Sequence, residues 1–260
     1  MIRAERHAKI IEIVKQEGFA TVKNLVETLN VSPLTIRRDL GVLSNNKLIK
    51  KVYGGAELIG DKGTSSEIYY NIKLYHNQDK KISIGMAASR FVNDGDTIII
   101  DSGTTTFQLA KKIKEQDYKN LIVITNDLRI GCELCENKNI KIIFLGGNIN
   151  NNHYTTYGIY VHGLLNGMKT DKVFLGVDGL HINRGVSISA IDDGYLKQRM
   201  IDTGKEIIIL ADSSKFGKEL FYRVCGWDAI NMIITDNGIP PEYTKFFQDN
   251  KIEVVLSSAQ

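Results

Sequence analysis

The segment 101–106, D-S-G-T-T-T, brings one carboxylate, four hydroxyl groups and a glycine together at the end of an apolar run. If that run is a strand and a helix starts at the threonines, backbone N–H groups and hydroxyls gather at the positive end of the helix dipole. Such a position favours an anion such as phosphate. The same threonines would also cap a helix that binds nothing. The function of this segment therefore depends on what other strands bring beside it.

Polar residues or glycines also follow four other apolar runs, at 125–126, 146–147, 178–179 and 212–215. In an open parallel sheet the carboxyl ends of the strands converge on one crevice, where ligands bind. Lys215 would supply a positive charge to a phosphate, and Asp178 or Asn126 would hydrogen bond sugar hydroxyls. Taken singly, an ordinary turn at 178–179 or a solvated Lys215 is an equally good interpretation.

Together, these segments predict one effector-binding site at the strand ends. Its predicted residues are Asp101, Ser102, Gly103, Thr104, Thr105, Thr106, Thr125, Asn126, Gly146, Gly147, Asp178, Gly179 and Lys215. A later helix that carries Asp192, Asp193 and Lys197 either closes over the ligand or presents a solvated face.

No nucleotide or metal motif accompanies this predicted site. The chain contains neither G-x-x-x-x-G-K-[ST] nor G-x-G-x-x-G. Cys132 and Cys135 have the spacing of a metal or redox pair, but no second cysteine pair or histidine pattern lies nearby, so packing in the core is the favoured interpretation. Three cysteines, an odd number, also argue against a disulfide framework. We expect no cofactor and no metal.

A second chemically distinctive segment is 32–40, S-P-L-T-I-R-R-D-L, which places two arginines in a predicted helix. Ser32 followed by Pro33 is a strong helix start, because the hydroxyl caps the helix and the N–H that proline lacks is not needed there. At about 100° per residue, one face of this helix is apolar and packs inward, through Ile36, Leu40 and Leu43.

The opposite face carries Leu34, Arg38, Gly41 and Asn45, flanked by Thr35 and Arg37. An exposed arginine binds guanine O6 and N7 in a bidentate manner, whereas flanking Thr and Arg side chains suit phosphate oxygens. Gly41 would let the backbone approach a DNA groove. The alternative is that both arginines simply form a solvated helix face.

The surrounding elements favour DNA binding over a solvated face. A helix at 3–18, a second helix capped by Thr21 and a turn at 30–31 precede the arginine helix, and two short strands around a Gly-Gly turn at 47–59 form a wing. Residues 1–60 hold ten Lys/Arg and six Asp/Glu. Asp39 is predicted to pair with a neighbouring arginine within the domain. The predicted DNA-binding residues are Ser32, Leu34, Thr35, Arg37, Arg38, Gly41, Lys50, Lys51 and Tyr53.

From residue 76 onward, seven apolar runs alternate with helical stretches, at 97–101, 121–125, 140–145, 172–177, 206–210, 232–235 and 251–256. Continuous apolar strands separated by helices indicate a mostly parallel sheet covered on both faces. The fold class is therefore α/β. We expect a winged helix-turn-helix domain at 1–58, a polar linker at 59–75 and a doubly wound sheet domain at 76–260 that senses the effector and self-associates.

Motifs spread over nearly the whole chain have counterparts in one protein family. They are E-R-x3-I-x-x-I-V at 5–14, V-S-P-L-T-I-R-R-D-L at 31–40, V-Y-G-G-A at 52–56, D-S-G-T-T-T at 101–106, T-N-D at 125–127, G-G-N at 146–148 and A-D-S-S-K-F-G at 211–217. In these motifs the chain resembles the DeoR family of bacterial transcriptional repressors. The resemblance implies a repressor of a carbohydrate-utilisation operon, with a C-terminal domain that senses a phosphorylated sugar and is related in fold to ribose-5-phosphate isomerase.

A sugar-phosphate isomerase fused to a DNA-binding domain is the alternative function. Proton abstraction beside a carbonyl needs a carboxylate base. The resemblance to the isomerase implies an Asp-Gly-Ala-Asp-Glu run followed by a lysine and glycines. This chain has Asp178-Gly179-Leu180-His181 and then N-R-G at 183–185, so the later acids are missing. We expect no enzymatic activity and no catalytic residues.

The expected partners are double-stranded operator DNA, a phosphorylated sugar effector and further copies of the chain, as a homodimer or homotetramer. Self-association is expected because one recognition helix covers too few base pairs to be specific. No run approaches the ~20 apolar residues of a membrane span, and the first residues lack the apolar core of a secretion signal. We therefore expect no membrane association and a cytoplasmic location. Activation of transcription stays open beside repression.

Overall fold

The computed structural model describes residues 2–17, 19–46, 48–58, 76–150 and 153–257, so the predicted linker at 59–75 lies outside the described residues. The chain divides into two compact units. The described residues between 2 and 78, with His153, form the N-terminal unit, and residues 79–150 with 154–257 form the C-terminal unit. Each unit has its own buried apolar core.

The described residues of the N-terminal unit form three helices and a small antiparallel sheet. In chain order its elements are α1 (Arg3–Glu17), β1 (Phe19–Thr21), α2 (Val22–Leu29), α3 (Pro33–Asn45), β2 (Ile49–Val52) and β3 (Gly55–Leu58). The strand order is β1-β3-β2. The predicted three helices and two-stranded wing are confirmed, and β1 adds a third strand that is too short to show a hydrophobic pattern.

Helix caps and glycines determine where the elements of this unit begin, end and turn. The Thr21 hydroxyl accepts a hydrogen bond of 3.0 Å from the Asn24 N–H and starts α2, and Asn30 ends that helix at a φ of 50°. The turn of the wing lies at Tyr53 and Gly54 rather than at two glycines. Gly55 instead belongs to β3, where a Cβ atom would lie 2.2 Å from the carbonyl oxygen of Ala20. Only glycine lets β1 approach β3 so closely.

The C-terminal unit alternates strands and helices over its whole length. Its helices are α4 (Gln78–Ser89), α5 (Thr104–Lys114), α6 (Leu128–Leu134), α7 (Ile159–Leu165), α8 (Ile191–Thr203) and α9 (Pro241–Asp249). Its strands are β4 (Thr97–Ile100), β5 (Ile122–Thr125), β6 (Lys141–Phe144), β7 (Asn148–Asn150), β8 (Thr155–Tyr157), β9 (Thr170–Gly176), β10 (Gly179–His181), β11 (Gly185–Ile188), β12 (Gly204–Leu210), β13 (Tyr222–Cys225), β14 (Met232–Asp236) and β15 (Glu253–Ser257).

Seven strands form one sheet in the order β15-β14-β12-β9-β4-β5-β6, and every pair in it is parallel. Successive side chains point to opposite faces of a strand, so Ile98 and Ile100 join one core and Ile99 joins the other. All seven strands were predicted from their apolar runs. The predicted doubly wound sheet covered on both faces is therefore confirmed.

Two smaller antiparallel sheets were not predicted. Strands β7 and β8 form a hairpin, and β10, β11 and β13 form a three-stranded sheet. Their three- and four-residue strands are too short for a clear periodicity. Within the described residues, no helix is long and apolar enough to cross a membrane.

Candidate DNA-binding surface and effector site

The start of α3 is built as its sequence predicts. The Ser32 hydroxyl accepts a hydrogen bond of 3.2 Å from the Thr35 N–H, and Pro33 occupies the first turn. The predicted apolar face is completely buried, through Ile36, Leu40 and Leu43. The helix is therefore held on the core by one face, and its other face is free for recognition.

The predicted recognition face is open to solvent. Arg37 and Arg38 are exposed, the Leu34 side chain is 57% exposed, and a Cβ atom on Gly41 would meet nothing within 4 Å. The Ser32 and Thr35 hydroxyls lie 2.9 Å apart and share a hydrogen bond. An arginine and a leucine beside a glycine on one exposed helix face suit contact with base edges in a major groove.

The wing adds basic and aromatic groups. Tyr53 is fully exposed at its tip, and Gly54 next to it has a φ of +79°, which favours glycine. Lys51 is exposed, while the Lys50 ammonium binds Glu57 across the two strands at 2.7 Å. Lys51 and Tyr53 are thus available to a phosphate backbone. The Lys50 ammonium is already paired with Glu57, so a phosphate would compete with that carboxylate for it.

Asp39 faces inward from α3 and is buried. Its carboxylate accepts hydrogen bonds from Arg6 of α1 at 2.5 and 3.1 Å and lies 2.9 Å from His7 Nε2. Burial by itself raises the pKa of Asp39, but the bonds from Arg6 and His7 bring the pKa below its ordinary value. Asp39 was predicted to pair with an arginine, and its partner is on α1 rather than next to it in the sequence.

The C-terminal unit has a topological switch point between β4 and β9. From β4 the sheet grows through β5 to β6 on one side, and it grows from β9 to β15 on the other. Asp101 follows β4 and Gly176 ends β9. Ligands of open α/β sheets bind in the crevice beyond such a point, because the two flanking connections diverge there.

A buried ion pair lies at this switch point. The Lys197 ammonium of α8 binds the Asp101 carboxylate, which also accepts a hydrogen bond of 3.0 Å from the Gly176 N–H. Both side chains are almost fully buried. Burial raises the pKa of Asp101, and the Lys197 charge opposes that increase. The pair therefore places one cation and one anion at the base of the crevice.

The predicted segment 102–106 lies beside this pair and starts α5. Ser102, Gly103 and Thr104 are partly exposed, whereas Thr105 and Thr106 are buried. The Thr106 hydroxyl donates to the Gly103 carbonyl at 2.9 Å, and Gly103, the N-cap residue, has no side chain that could cap the first N–H groups of the helix. Such N–H groups are suited to an anion.

The predicted residues after β5 support the site more than they line it. Thr125 and Asn126 are buried, and Asn126 Nδ2 donates to the Thr156 carbonyl at 3.2 Å. Asn126 Oδ1 is buried and has no hydrogen-bond partner among the residues that the structure describes. Asp127, which was not predicted, caps α6 through the Arg129 and Ile130 N–H groups.

The Asp127 carboxylate is completely buried. Burial raises its pKa to about 6, although hydrogen bonding from the Ile130, Arg129 and Gly103 N–H groups lowers it. Because Gly103 precedes α5, this carboxylate lies close to the predicted phosphate segment. Its protonation state therefore changes the charge beside that segment within the physiological pH range.

Three predicted glycines differ in their surroundings. A Cβ atom on Gly147 would lie 2.6 Å from the Tyr157 carbonyl oxygen, and one on Gly179 would lie 2.7 Å from the Lys218 carbonyl oxygen. A Cβ atom on Gly146 would meet nothing within 4 Å. Close packing thus explains why Gly147 and Gly179 are glycines without any need for a ligand. That all three glycines belong to the effector site stays a prediction.

Lys215 and Asp178 lie together on the β9–β12 side of the crevice. The Lys215 ammonium is 3.9 Å from the Asp178 carboxylate, and both side chains are partly exposed. Asp212 accepts a hydrogen bond of 3.0 Å from the Ser214 N–H and starts the turn that presents Lys215. Burial raises the pKa of Asp212, but Ser214 and Lys215 bring it below its ordinary value.

Two family models match the chain in the order of the two units. The DeoR-like helix-turn-helix domain matches residues 6–62, and the DeoR C terminal sensor domain matches residues 76–237. The chain belongs to the DeoR family. As a DeoR-family member it is a DNA-binding transcriptional regulator, as its motifs predict.

Similar proteins agree with this assignment. A protein named as a candidate repressor of the aga operon in Escherichia coli O157:H7 is 32% identical, over 97% of this chain and 93% of its own length. The lactose phosphotransferase system repressor of Lactococcus lactis is 30% identical, over 95% of this chain and 96% of its own. These DeoR-family relatives are named as regulators and not as enzymes, in agreement with the predicted function.

A solved structure of ribose 5-phosphate isomerase A from Methanocaldococcus jannaschii is also similar. It is 17% identical, over 55% of this chain and 56% of its own, with a TM-score of 0.41. This similarity concerns the fold alone and is too weak to bear on the function of the DeoR-family chain.

Several charged residues near the crevice were not predicted as part of this DeoR-family sensor site. For Lys197 the solvated helix face was one of two interpretations, and its burial against Asp101 excludes that one. On α4, the Lys80 ammonium lies 2.9 Å from Asp236 at the end of β14 and donates to the Ser213 hydroxyl at 2.8 Å. No local pattern reveals a partner that is distant in sequence.

The prediction for Cys132 and Cys135 is wrong. Both thiols are exposed on the outer side of α6 rather than packed in the core, because the buried face of that short helix is formed by Ile130, Gly131 and Leu134. No group of three metal-ligating side chains occurs within the ranges that the structure describes. Burial raises the pKa of the third cysteine, Cys225, to about 12.

Proposed function

We propose that this DeoR-family chain represses a carbohydrate-utilisation operon and leaves its operator DNA when a phosphorylated sugar, or an intermediate derived from one, binds the C-terminal unit. The observation that carries the proposal is the buried Lys197–Asp101 pair at the switch point, beside the start of α5, where the N-cap residue is a glycine without a side chain. A sugar phosphate offers an anion to the helix start and hydroxyl groups to a carboxylate.

In the proposed complex, the phosphate binds the N–H groups of 104–106 with Lys197 or Lys215 as counter-charge. The hydroxyl groups hydrogen bond Asp101 and Asp178. The names of the two relatives point to carbohydrate operons as well, since one names the lactose phosphotransferase system and the other the aga operon. A ligand that prefers the form with low DNA affinity releases the operator, and DNA must weaken ligand binding by the same factor.

We further propose that the chain binds DNA as a homodimer or as a homotetramer built from dimers, in the cytoplasm. In the proposed complex the α3 helices of two copies enter the major groove at half-sites about 34–36 Å apart or at multiples of that spacing. Arg38 reads base edges, and Thr35, Arg37, Lys51 and Tyr53 contact the backbone. Pairing of half-sites supplies the specificity that one helix lacks.

The direct test is a thermal-shift screen of the full chain against hexose 6-phosphates, pentose 5-phosphates and triose phosphates. Matched samples contain the unphosphorylated sugars or inorganic phosphate. We expect one phosphorylated sugar to raise the melting temperature and, in a gel-shift assay, to release operator DNA. At a hundred times the dissociation constant, binding adds about 2.7 kcal/mol to the free energy of unfolding. Equal stabilisation by the free sugar, or none by any phosphate, would refute the proposal.

A double variant tests the site. Lys197→Met with Asp101→Asn removes both charges together and so leaves neither unpaired in the interior. We expect it to fold and to lose stabilisation by the sugar phosphate. The control is Lys205→Met with Asp171→Asn, which removes an exposed ion pair of 2.8 Å. NMR of each ligand after incubation tests the isomerase alternative, because a new sugar phosphate would show turnover.

A further inference from the structure

The segment 146–168 contains no Asp, Glu, Lys or Arg, although these residues make up 24% of the chain. It covers the β7–β8 hairpin and the whole of α7. Parts of this segment are buried and parts are exposed, and its exposed positions would ordinarily include several charged residues, because Lys, Glu, Arg and Asp lie mostly at protein surfaces. Loss of charge is also the compositional mark of the centre of a protein interface.

Helix α7 is apolar on both of its sides. Val161 and Leu165 point into the core of the C-terminal unit and are buried. On the other side Ile159 is 79% exposed, Tyr160 is 72% exposed and Leu164 is 44% exposed. A helix that is apolar all round is normally covered on all sides. The outward side of α7 therefore needs a cover, and none of the residues that the structure describes supplies one.

Helix α8 extends this apolar surface. The rings of His162 and Tyr195 meet edge to face with 4.7 Å between their centroids, so α7 and α8 lie side by side. Ile191 and Tyr195, one turn apart on α8, are 53% and 48% exposed. We define the α7–α8 face as Ile149, Ile159, Tyr160, Gly163, Leu164, Ile191 and Tyr195.

The α7–α8 face has the size of one half of a stable interface. Its six large side chains expose on the order of 700 Å², close to the ~800 Å² that each partner buries in a standard interface. Gly163 lies at its centre, opposite Val161 and Leu165, and a Cβ atom there would meet nothing within 4 Å. A glycine at the centre of such a face lets another helix approach closely.

We propose that the α7–α8 face binds the same face of a second copy of this chain across a two-fold axis. This inference rests on the proposed function, in which the chain acts as a dimer, and it names the surface that makes the dimer. A two-fold interface brings identical patches together, so a face with an uncharged centre is compatible with itself.

Charges at the edge of the face also fit a second copy. On α8, Asp192 and Arg199 are seven residues apart, so they lie on the same side as Ile191 and Tyr195. Arg199 hydrogen bonds Asn166 of its own chain and lies 3.3 Å from Asp202, but its side chain is still 34% exposed and can contact a further carboxylate. When α8 packs antiparallel to its copy, the Asp192 end of one helix meets the Arg199 end of the other. Opposite charges then face each other at both edges, which favours this partner over an unrelated apolar surface.

The test compares two leucine variants of the full chain by light scattering after gel filtration. Leu164→Glu places a charge in the α7–α8 face, and we expect it to weaken dimerisation at least tenfold. Leu256→Glu is the matched control, since Leu256 is 50% exposed on β15, and it should associate as the unaltered chain does. Circular dichroism checks the fold of each, and Tyr160→Glu replaces Leu164→Glu if that variant unfolds.

The outcomes separate this proposal from the proposed function. If the unaltered chain is dimeric and neither Leu164→Glu nor Tyr160→Glu dissociates it, the face is wrong while the proposed dimeric repressor stands. If the control dissociates the dimer equally, the effect is not specific and the face is again wrong. If the unaltered chain is monomeric at micromolar concentration with and without operator DNA, both fail and the face belongs to a different partner.

Discussion

Arg6 and Asp39, 33 residues apart in the sequence, form an ion pair between a partly buried guanidinium and a buried carboxylate, which holds α3 against α1. Asp39 follows Arg38 directly in α3. The inward hydrogen bonds of Asp39 therefore keep the Arg38 side chain on the outward side of the helix. His7 contributes a second contact to the same carboxylate, at 2.9 Å. The recognition surface is thus oriented by a polar contact beneath it as well as by its apolar stripe.

Removal of Asp39 should destabilise the N-terminal unit. Asp39→Ala leaves the partly buried Arg6 charge without its partner and removes its two hydrogen bonds, which costs about 2 kcal/mol. Hydrogen exchange of α1 and α3 amides in increasing urea measures the effect. Glu57→Ala, which breaks the exposed Lys50–Glu57 pair, is the control and should cost less than about 1 kcal/mol. Equal losses would show that burial of the Arg6–Asp39 pair is unimportant.

Arg38→Ala should weaken operator binding by about 10- to 100-fold, because one bidentate arginine–guanine contact contributes ~1–3 kcal/mol. Fluorescence anisotropy with a labelled operator measures the change. Arg90→Ala, which removes an exposed arginine of the C-terminal unit, should leave the affinity unaltered. The sugar-phosphate thermal shift of Arg38→Ala should equal that of the unaltered chain. Equal effects of both variants on DNA affinity would refute Arg38 as a base contact.

Lys215→Ala should have the reverse effect. Without its ammonium, the crevice loses a counter-charge for phosphate, so the thermal shift with a sugar phosphate should fall while operator affinity without ligand stays unchanged. Lys218→Ala, an exposed lysine three residues further on, is the control. If Lys215→Ala and Arg38→Ala altered ligand binding and DNA binding alike, the proposed assignment of DNA binding to the N-terminal unit and of ligand binding to the C-terminal unit would be wrong.

The sensor should be more stable at pH 5 than at pH 7 because of Asp127. Burial raises its folded pKa to about 6 from an ordinary 3.8, so its contribution is fully present below pH 3.8 and is lost as the pH rises through 6. Between pH 5 and 7 the loss is about 1 kcal/mol. Asp127→Asn keeps the helix cap and should remove this dependence from the melting temperature. A dependence that persists in Asp127→Asn would assign it to another group.

Those parts of the fold that depend on neighbouring residues could be predicted from the sequence. The Ser32 cap, the buried stripe of α3 and the seven apolar strands are local patterns, and all are present. The hydroxyl segment at 102–106 was predicted correctly to start a helix after a strand. Each of these features is determined by residues within about one turn or one strand.

The ion pairs of the site could not be predicted from local sequence patterns. Lys197 and Asp101 are 96 residues apart, and Lys80 is 133 residues from Ser213, so only the order of the strands brings them together. The error for Cys135 has a related cause. It lies at the end of α6, where a small change in helix length moves a side chain from the core to solvent.

The order of the strands also has a consequence for synthesis. The proposed DNA-binding surface is complete by residue 58, whereas the proposed ligand crevice needs Lys197 and Lys215. Domains generally fold as units and from the N-terminus during translation. A nascent chain on the ribosome therefore acquires its recognition helix long before its ligand crevice and the α7–α8 face. A chain interrupted before residue 159 would contain the proposed recognition helix but neither the proposed ligand crevice nor the α7–α8 face.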